Sequence, residues 1–230
     1  MTTRQLIASR LDPRLRSALK LVYDEFRMLR NHKRGVRTYR DHVDSARPLR
    51  VQFGCGPEPK EGWLNTDIWP GPWATPDICL DVARPFPFPA GSVAEIYTEH
   101  MFEHLSYPTD AAHFLQESFR VLIPGGTLTI GVPDLEAIHD HYFQSLSAKT
   151  VVNSAPHILL GHPLEDLNYA FHQDGEHKFV YSDEFLIKFF EHFGLIDVRG
   201  RDFDPIMDSE HRRGGTLYVT GVKPPSRVNI

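Results

Sequence analysis

Four short apolar segments in this 230-residue chain each run into a glycine or an acid, and that arrangement admits few folds. Leu49–Phe53 meets Gly54-Cys55-Gly56, Trp63–Thr66 meets Asp67, Asp77–Leu80 meets Asp81, and Val93–Thr98 meets Glu99. A helical pattern follows at about 109–122, with Ala112, Leu115, Phe119 and Leu122 on one side, and Pro124-Gly125-Gly126 ends it. Thr127–Val132 reads as a fifth strand, and Leu195–Val198 and Thr216–Val222 as two closing ones. Short strands alternating with helices predict a parallel sheet. The expectation is an α/β, Rossmann-like fold: a seven-stranded, mostly parallel sheet with helices on both faces.

Two segments stand outside this pattern. Leu11, Leu15, Ala18, Leu19, Val22, Phe26 and Leu29 recur at helical spacing behind Asp12-Pro13, which suits a helix start. The stripe fades near Asn31, Gly35 interrupts it, and residues 31–47 read as a linker. The chain thus divides into a helical N-terminal extension, residues 1–47, and a ligand-binding domain, residues 48–230. Within the domain, residues 147–181 carry His157, His162, His172 and His177 with little periodicity. A long irregular stretch of this kind predicts an inserted lid or binding loop. Ser182 then caps a helix reaching about His192, with Phe185 and Phe189 on one face.

Charge is uneven. Residues 1–50 hold 13 Lys and Arg against 5 Asp and Glu, a net of +8; within a total of −5 the remainder stands at −13. The extension is either a solvated helix face that docks on an acidic body, its own or that of a second copy in a homo-oligomer, or a basic arm for anions. The acidic body argues against nucleic acid as substrate, because phosphate binding needs a continuous positive surface. No apolar run approaches the ~18 residues of a membrane span, and Met1–Arg10 shows no secretory signal. With two cysteines, Cys55 and Cys79, kept as thiols, the expected compartment is the cytoplasm.

The strand ends carry the chemistry. Glycines after a first strand bring bare backbone to a ligand at the carboxyl edge of the sheet. Pro57, Pro59 and Gly62 leave no room for a helix before the second strand, so the phosphate-binding helix N-terminus of a dinucleotide site is missing. Asp67 is placed to accept from a ribose diol, Asp81 to take an exocyclic amine, and Glu99 stands at the same edge. Three acids suit a ligand with a ribose, an amine and a positive charge, and they repel a pyrophosphate.

These pieces together resemble the class I S-adenosylmethionine (SAM)-dependent methyltransferases, in particular the type 11 group. The motifs that carry the likeness are Val51-Gln52-Phe53-Gly54-Cys55-Gly56, Gly62-Trp63-Leu64-Asn65-Thr66-Asp67-Ile68 and Asp81-Val82-Ala83-Arg84-Pro85-Phe86-Pro87-Phe88. Glu99-His100-Met101-Phe102-Glu103-His104-Leu105 and Glu117–Gly126 continue it, followed by Val132-Pro133-Asp134 and by His177 through Leu195. The resemblance implies that Phe53, Gly54, Cys55 and Gly56 wrap the methionine part of SAM. It further implies Asp67 and Ile68 at the ribose, Asp81 and Val82 at the adenine, and Glu99 near the methyl end, with S-adenosylhomocysteine as product. Where the group often has an acid two residues before the first glycine, this chain has Gln52.

The expected reaction is methyl transfer to a hydroxyl or amine of a small molecule, sugar or glycan. His100 and His177 are the candidate bases, and His172 and Tyr169 the candidate substrate contacts. The alternatives are a non-catalytic SAM-fold module that works through its basic arm, and an RNA methyltransferase. His100-Met101-Phe102-Glu103-His104 also spells the His-x-x-Glu-His pattern of a zinc-protease group. Its overlap with the methyltransferase motif leaves no metal expected there.

Overall fold

The computed structural model describes residues 12–42, 48–148 and 159–225. Among the described residues, seven strands form one sheet: β1 (Leu49–Phe53), β2 (Leu64–Asp67), β3 (Ile78–Cys79), β4 (Val93–Glu99), β5 (Leu122–Pro133), β6 (Ile196–Arg201) and β7 (Thr216–Val222). Their order is β3-β2-β1-β4-β5-β7-β6. The pairs from β3 to β5 are parallel, and β7 runs antiparallel to both neighbours. This is the expected Rossmann-like α/β sheet, and its order reverses between β1 and β4. A ligand crevice opens at such a switch point, beyond the strand carboxyl ends.

Among the described residues, five α-helices accompany the sheet: α1 (Pro13–His42), α2 (Thr109–Val121), α3 (Leu135–Ala148), α4 (Pro163–His172) and α5 (Asp183–His192). Val51, Phe53, Ile96, Ile130 and Val219 point to one face and are fully buried. Phe114 of α2 packs its ring edge on Phe53 at 5.4 Å, and Phe190 of α5 lies against Gly221. The opposite face carries Gln52, Tyr97 and Tyr218, and loops cover it. Lys60 sits 4.4 Å above the Tyr97 ring, and the Tyr97 hydroxyl donates to Asp208 at 3.0 Å.

Three readings of local structure need correction. The N-terminal helix does not end near Asn31. It runs to His42, so residues 31–42 are helix rather than linker. Gly35 is not its breaker but its contact point, since a Cβ there would lie 1.9 Å from the carbonyl oxygen of Cys79. Packing, not propensity, decides the outcome: Asn31, Gly35 and Tyr39 are buried at four-residue spacing, and Tyr39 meets Phe88 edge-on at 5.1 Å. The apolar stripe that announced the helix instead faces outward, with Phe26 68 % exposed and Leu19 51 %. Secondly, the His-rich stretch holds a regular helix, α4, whose start is a capping box built from His162 and Glu165. Residues 149–158, which include His157, lie outside the described segments. Thirdly, β5 begins directly after α2 and passes through Pro124-Gly125-Gly126, which is strand rather than a break before one.

Gly35→Ala tests the docking of α1. No flexible side chain faces the new methyl group, only strand backbone, so the helix must shift. The substitution is expected to cost at least the 1–3 kcal/mol typical of overpacking. Thermal unfolding together with proteolysis rates at Arg37 and Arg40 checks it; an unchanged melting temperature contradicts the contact.

Candidate functional site

Gly54 and Gly56 follow β1 with φ of +66° and +51°, the left-handed region that glycine enters freely. The two serve different ends. A Cβ on Gly54 would stand 2.7 Å from Met101, so this glycine lets the segment after β4 close on the turn. A Cβ on Gly56 would find nothing nearer than 3.9 Å, so backbone is presented to open space. Asp67, at the end of β2, ties the turn down: its Oδ2 accepts from the Gly56 amide at 3.1 Å and its Oδ1 from Trp69 at 3.2 Å. A carboxylate has about four acceptor positions, and two remain for a ligand. Beneath lies Phe53, its ring tilted against Phe86 with centroids 4.7 Å apart. The Cys55 thiol is pushed up to about 12, by burial first and then by Asp67 and Asp77. It is therefore a neutral wall rather than a nucleophile. The Ile68 carbonyl accepts from Asn31 of α1 at 3.2 Å, which fixes the chain leaving β2.

The other two acids are occupied differently. Asp81 accepts from Ala83 at 3.0 Å and pairs with Arg84 at 2.8 Å, and its own amide donates to His32 at 3.2 Å. Its carboxylate stabilises the turn that carries Val82, which packs against the core. Glu99 is 6 % exposed and turns into the loop-covered face. It accepts from the Tyr218 and Ser209 hydroxyls, each at 2.5 Å, and Arg212 lies 3.4 Å away. Glu99 and Asp67 therefore serve separate networks, whereas the sequence grouped them at one cleft edge. Gln52 explains its own departure from the family pattern: it accepts from Lys60 at 3.1 Å and donates to the Glu58 carbonyl at 3.3 Å. The amide holds the loop that stands where a helix would otherwise connect β1 to β2.

After β4 the backbone turns sharply at His100, φ +53°, an uncommon conformation for a residue with a side chain. Its Nε2 lies 2.7 Å from Thr216 Oγ1, whose hydroxyl donates to the Arg212 carbonyl at 3.2 Å. Burial above all, then Arg212 and neighbouring histidines, lowers His100 to about 3. It is neutral near pH 7 and a weak proton acceptor. A 3₁₀ turn, Phe102–His104, follows, not the α-helix that would set His100 and His104 on one face. Glu103 in that turn is 1 % exposed, and burial raises its carboxyl to about 8. Lys178 and Phe179 donate their amides to the Glu103 carbonyl at 2.8 and 3.3 Å, which brings His177 beside the turn. His172 is exposed and Tyr169 half-buried on α4. His162 caps α4, accepting from Leu164 at 3.1 Å, and is structural.

Between α3 and α4 lies a cavity of about 300 Å³ bounded by Ile138, Tyr142, Asp166, Leu167, Ala170 and Gly215. Ala170 also accepts a hydrogen bond from His177, and Gly215 precedes Thr216, the partner of His100. None of these cavity residues was singled out from sequence except as part of the lid, because α3 carries no sharp pattern. Of the expected site residues, Phe53, Gly54, Cys55, Gly56, Asp67 and Ile68 converge on the glycine turn, and His100 and His177 converge on Glu103.

Residues 68–130 match the model of the type 11 methyltransferase family, described as "Methyltransferase domain". No curated protein matches the chain. Among solved structures, it is similar to a SAM-dependent methyltransferase from Archaeoglobus fulgidus, with 15 % identity over 87 % of this chain and 94 % of that one, TM-score 0.46. An S-adenosylmethionine-dependent methyltransferase from Mesorhizobium loti has 15 % identity over 80 % and 94 %, TM-score 0.45. Phosphoethanolamine N-methyltransferase 2 of Haemonchus contortus, in complex with S-adenosyl-L-methionine, has 9 % identity over 84 % and 52 %, TM-score 0.45.

The open backbone at Gly56 and the two spare acceptor positions of Asp67 suit a ribose diol and an amine. Asp67→Ala is expected to weaken S-adenosylhomocysteine binding by about 1.5–3 kcal/mol, the size of a hydrogen bond to a charged group. Calorimetry measures it; unchanged affinity removes Asp67 from the ribose.

Proposed function

We propose that this chain, a class I SAM-dependent methyltransferase of the type 11 group, methylates a hydroxyl or amine of a small acceptor held between α3 and α4. Gly54, Cys55 and Gly56 hold the methionine part of SAM, Asp67 and Ile68 the ribose, and Val82 and the Asp81 turn the adenine. SAM supplies an activated methyl group with its own leaving group. What remains for the protein is to place the acceptor atom in line, exclude water and receive a proton.

The observation that carries this reading is the 300 Å³ cavity at the carboxyl side of the sheet. Its size suits a small molecule or one sugar of a glycan, at the lower end of ligand pockets. Tyr142 and Asp166 give it polar groups among apolar walls. Tyr169 and His172 lie on the same helix as Asp166 and Ala170, and they are the proposed contacts at its rim. His100, held neutral by burial, is a positioning group through Thr216. His177, the other candidate base, stands beyond Ala170, whose carbonyl accepts from its ring.

Methyl-labelled SAM offered with pooled sugars, phenols and amines tests the reading. Label is expected on a small acceptor, and S-adenosylhomocysteine is expected to accumulate with it. Tight SAM binding without transfer to any small acceptor, or transfer to RNA alone, contradicts it. Ala137→Trp, which fills the cavity wall, is expected to raise acceptor KM by about tenfold, equivalent to 1.4 kcal/mol, with S-adenosylhomocysteine affinity unchanged. An unaltered KM would move the acceptor elsewhere.

A further inference from the structure

We propose that Glu103, His104 and His177 form a binding site for one divalent ion of the zinc class. Glu103 Oε1 lies 3.9 Å from Nε2 of His104 and 3.9 Å from Nε2 of His177. One ligand atom from each residue falls within 4.8 Å of the others. Zn–N and Zn–O bonds of about 2.0–2.1 Å put tetrahedral ligand atoms about 3.3 Å apart, so small side-chain rotations close the site.

The hydrogen positions make the case. His104 Nδ1 lies 3.2 Å from the Glu176 carbonyl, and His177 Nδ1 lies 2.9 Å from the Ala170 carbonyl. A carbonyl only accepts, so each Nδ1 carries the ring hydrogen and each Nε2 is left with a bare lone pair. His100 Nδ1 lies 3.5 Å from the same Glu103 oxygen. Two imidazole lone pairs and a Glu103 oxygen thus converge. Neither Glu103 oxygen has a donor, although the residue is 1 % exposed. An unpartnered carboxylate at such depth is costly. A proton on Glu103 could relieve one of these contacts, whereas a metal ion relieves all of them.

The surroundings resemble those of a bound ion. Backbone carbonyls that receive the distal Nδ1–H of both histidines fix the tautomer and aim the ring, the usual support of metal-bound imidazole. Two imidazoles and one carboxylate favour zinc over magnesium or calcium, which take oxygen ligands. The neighbouring cations are engaged elsewhere: Arg212 with Glu99, Lys178 with the Gly175 carbonyl. The His104 side chain is 34 % exposed and provides an entry path. The site does not depend on methyl transfer. Nor is it the His100–His104 pairing spelled by the sequence motif; the distant His177 supplies the second imidazole.

Zn²⁺ titration of the chelator-treated full chain against a chromophoric competitor tests the proposal. One Zn²⁺ per chain is expected, insensitive to millimolar Mg²⁺, and Co²⁺ should show the visible bands of a four- or five-coordinate ion. Glu103→Gln and His177→Ala should each lower affinity by more than ~100-fold, the upper range for loss of a supporting group, whereas His139→Ala, on the exposed face of α3, should not. Zn²⁺ should raise the melting temperature of the parent chain and not of Glu103→Gln. The metal-free Gln variant, which keeps the size of Glu103 and stays neutral at every pH, should melt no lower than the parent, which separates lost binding from lost folding. No Zn²⁺ uptake by the parent, or uptake that persists in Glu103→Gln, overturns the site.

Discussion

The parallel pairing of β1 with β2 across a connection without a helix is the constraint on which the site depends. Parallel neighbours ordinarily need a crossover of a dozen or more residues, usually a helix. Here residues 54–63 make the return as a loop, and side-chain amides do the work of a helix. Gln52 and Asn65 sit opposite each other in the register, and both oxygens accept from the Lys60 amide, at 3.1 and 2.8 Å. Asn65 also donates to Asp77, which in turn accepts from the Asn65 amide at 2.8 Å and so ties β2 to the entry of β3. Remove this network and neither the glycine turn nor Asp67 has a fixed place.

Losing that helix leaves one face of the sheet to be covered by other means. The polar character of that face follows from the strands themselves, since Gln52, Tyr97, Glu99 and Tyr218 cannot be buried against apolar helices without partners. Residues 202–213 supply the partners instead. Arg201 makes a two-armed ion pair with Asp208, both contacts at 2.6 Å, and stacks 4.4 Å above the Tyr218 ring. Such a buried charge network fixes one arrangement more than it adds stability. Glu99 is tied into it through Ser209, Tyr218 and Arg212.

The sheet, its mostly parallel sense and the glycine turn with Asp67 were legible because they rest on local signals: strand-length apolar runs and left-handed glycines at strand ends. What was not legible depended on contacts between distant segments. The apolar stripe from Leu15 to Phe26 correctly announced a helix, but the docking half is the one with weaker periodicity, from Asn31 to Tyr39. Shape fit of Gly35 against the Cys79 backbone outweighed hydrophobicity there. Asp81 and Glu99 were legible as strand-end acids, but not their partners Arg84, Ser209 and Tyr218. The cluster at Glu103 was half visible, because His104 adjoins it in sequence while His177 arrives from another element.

On the proposed reading, the carboxyl edge at Gly54–Gly56 and Asp67 takes an adenosyl ligand with a cationic or amino end and not a pyrophosphate. Calorimetric titration of the full chain with S-adenosylhomocysteine and with NAD tests it directly. The account predicts one molecule of S-adenosylhomocysteine per chain and no binding of NAD. Binding of NAD with no heat from S-adenosylhomocysteine would contradict it.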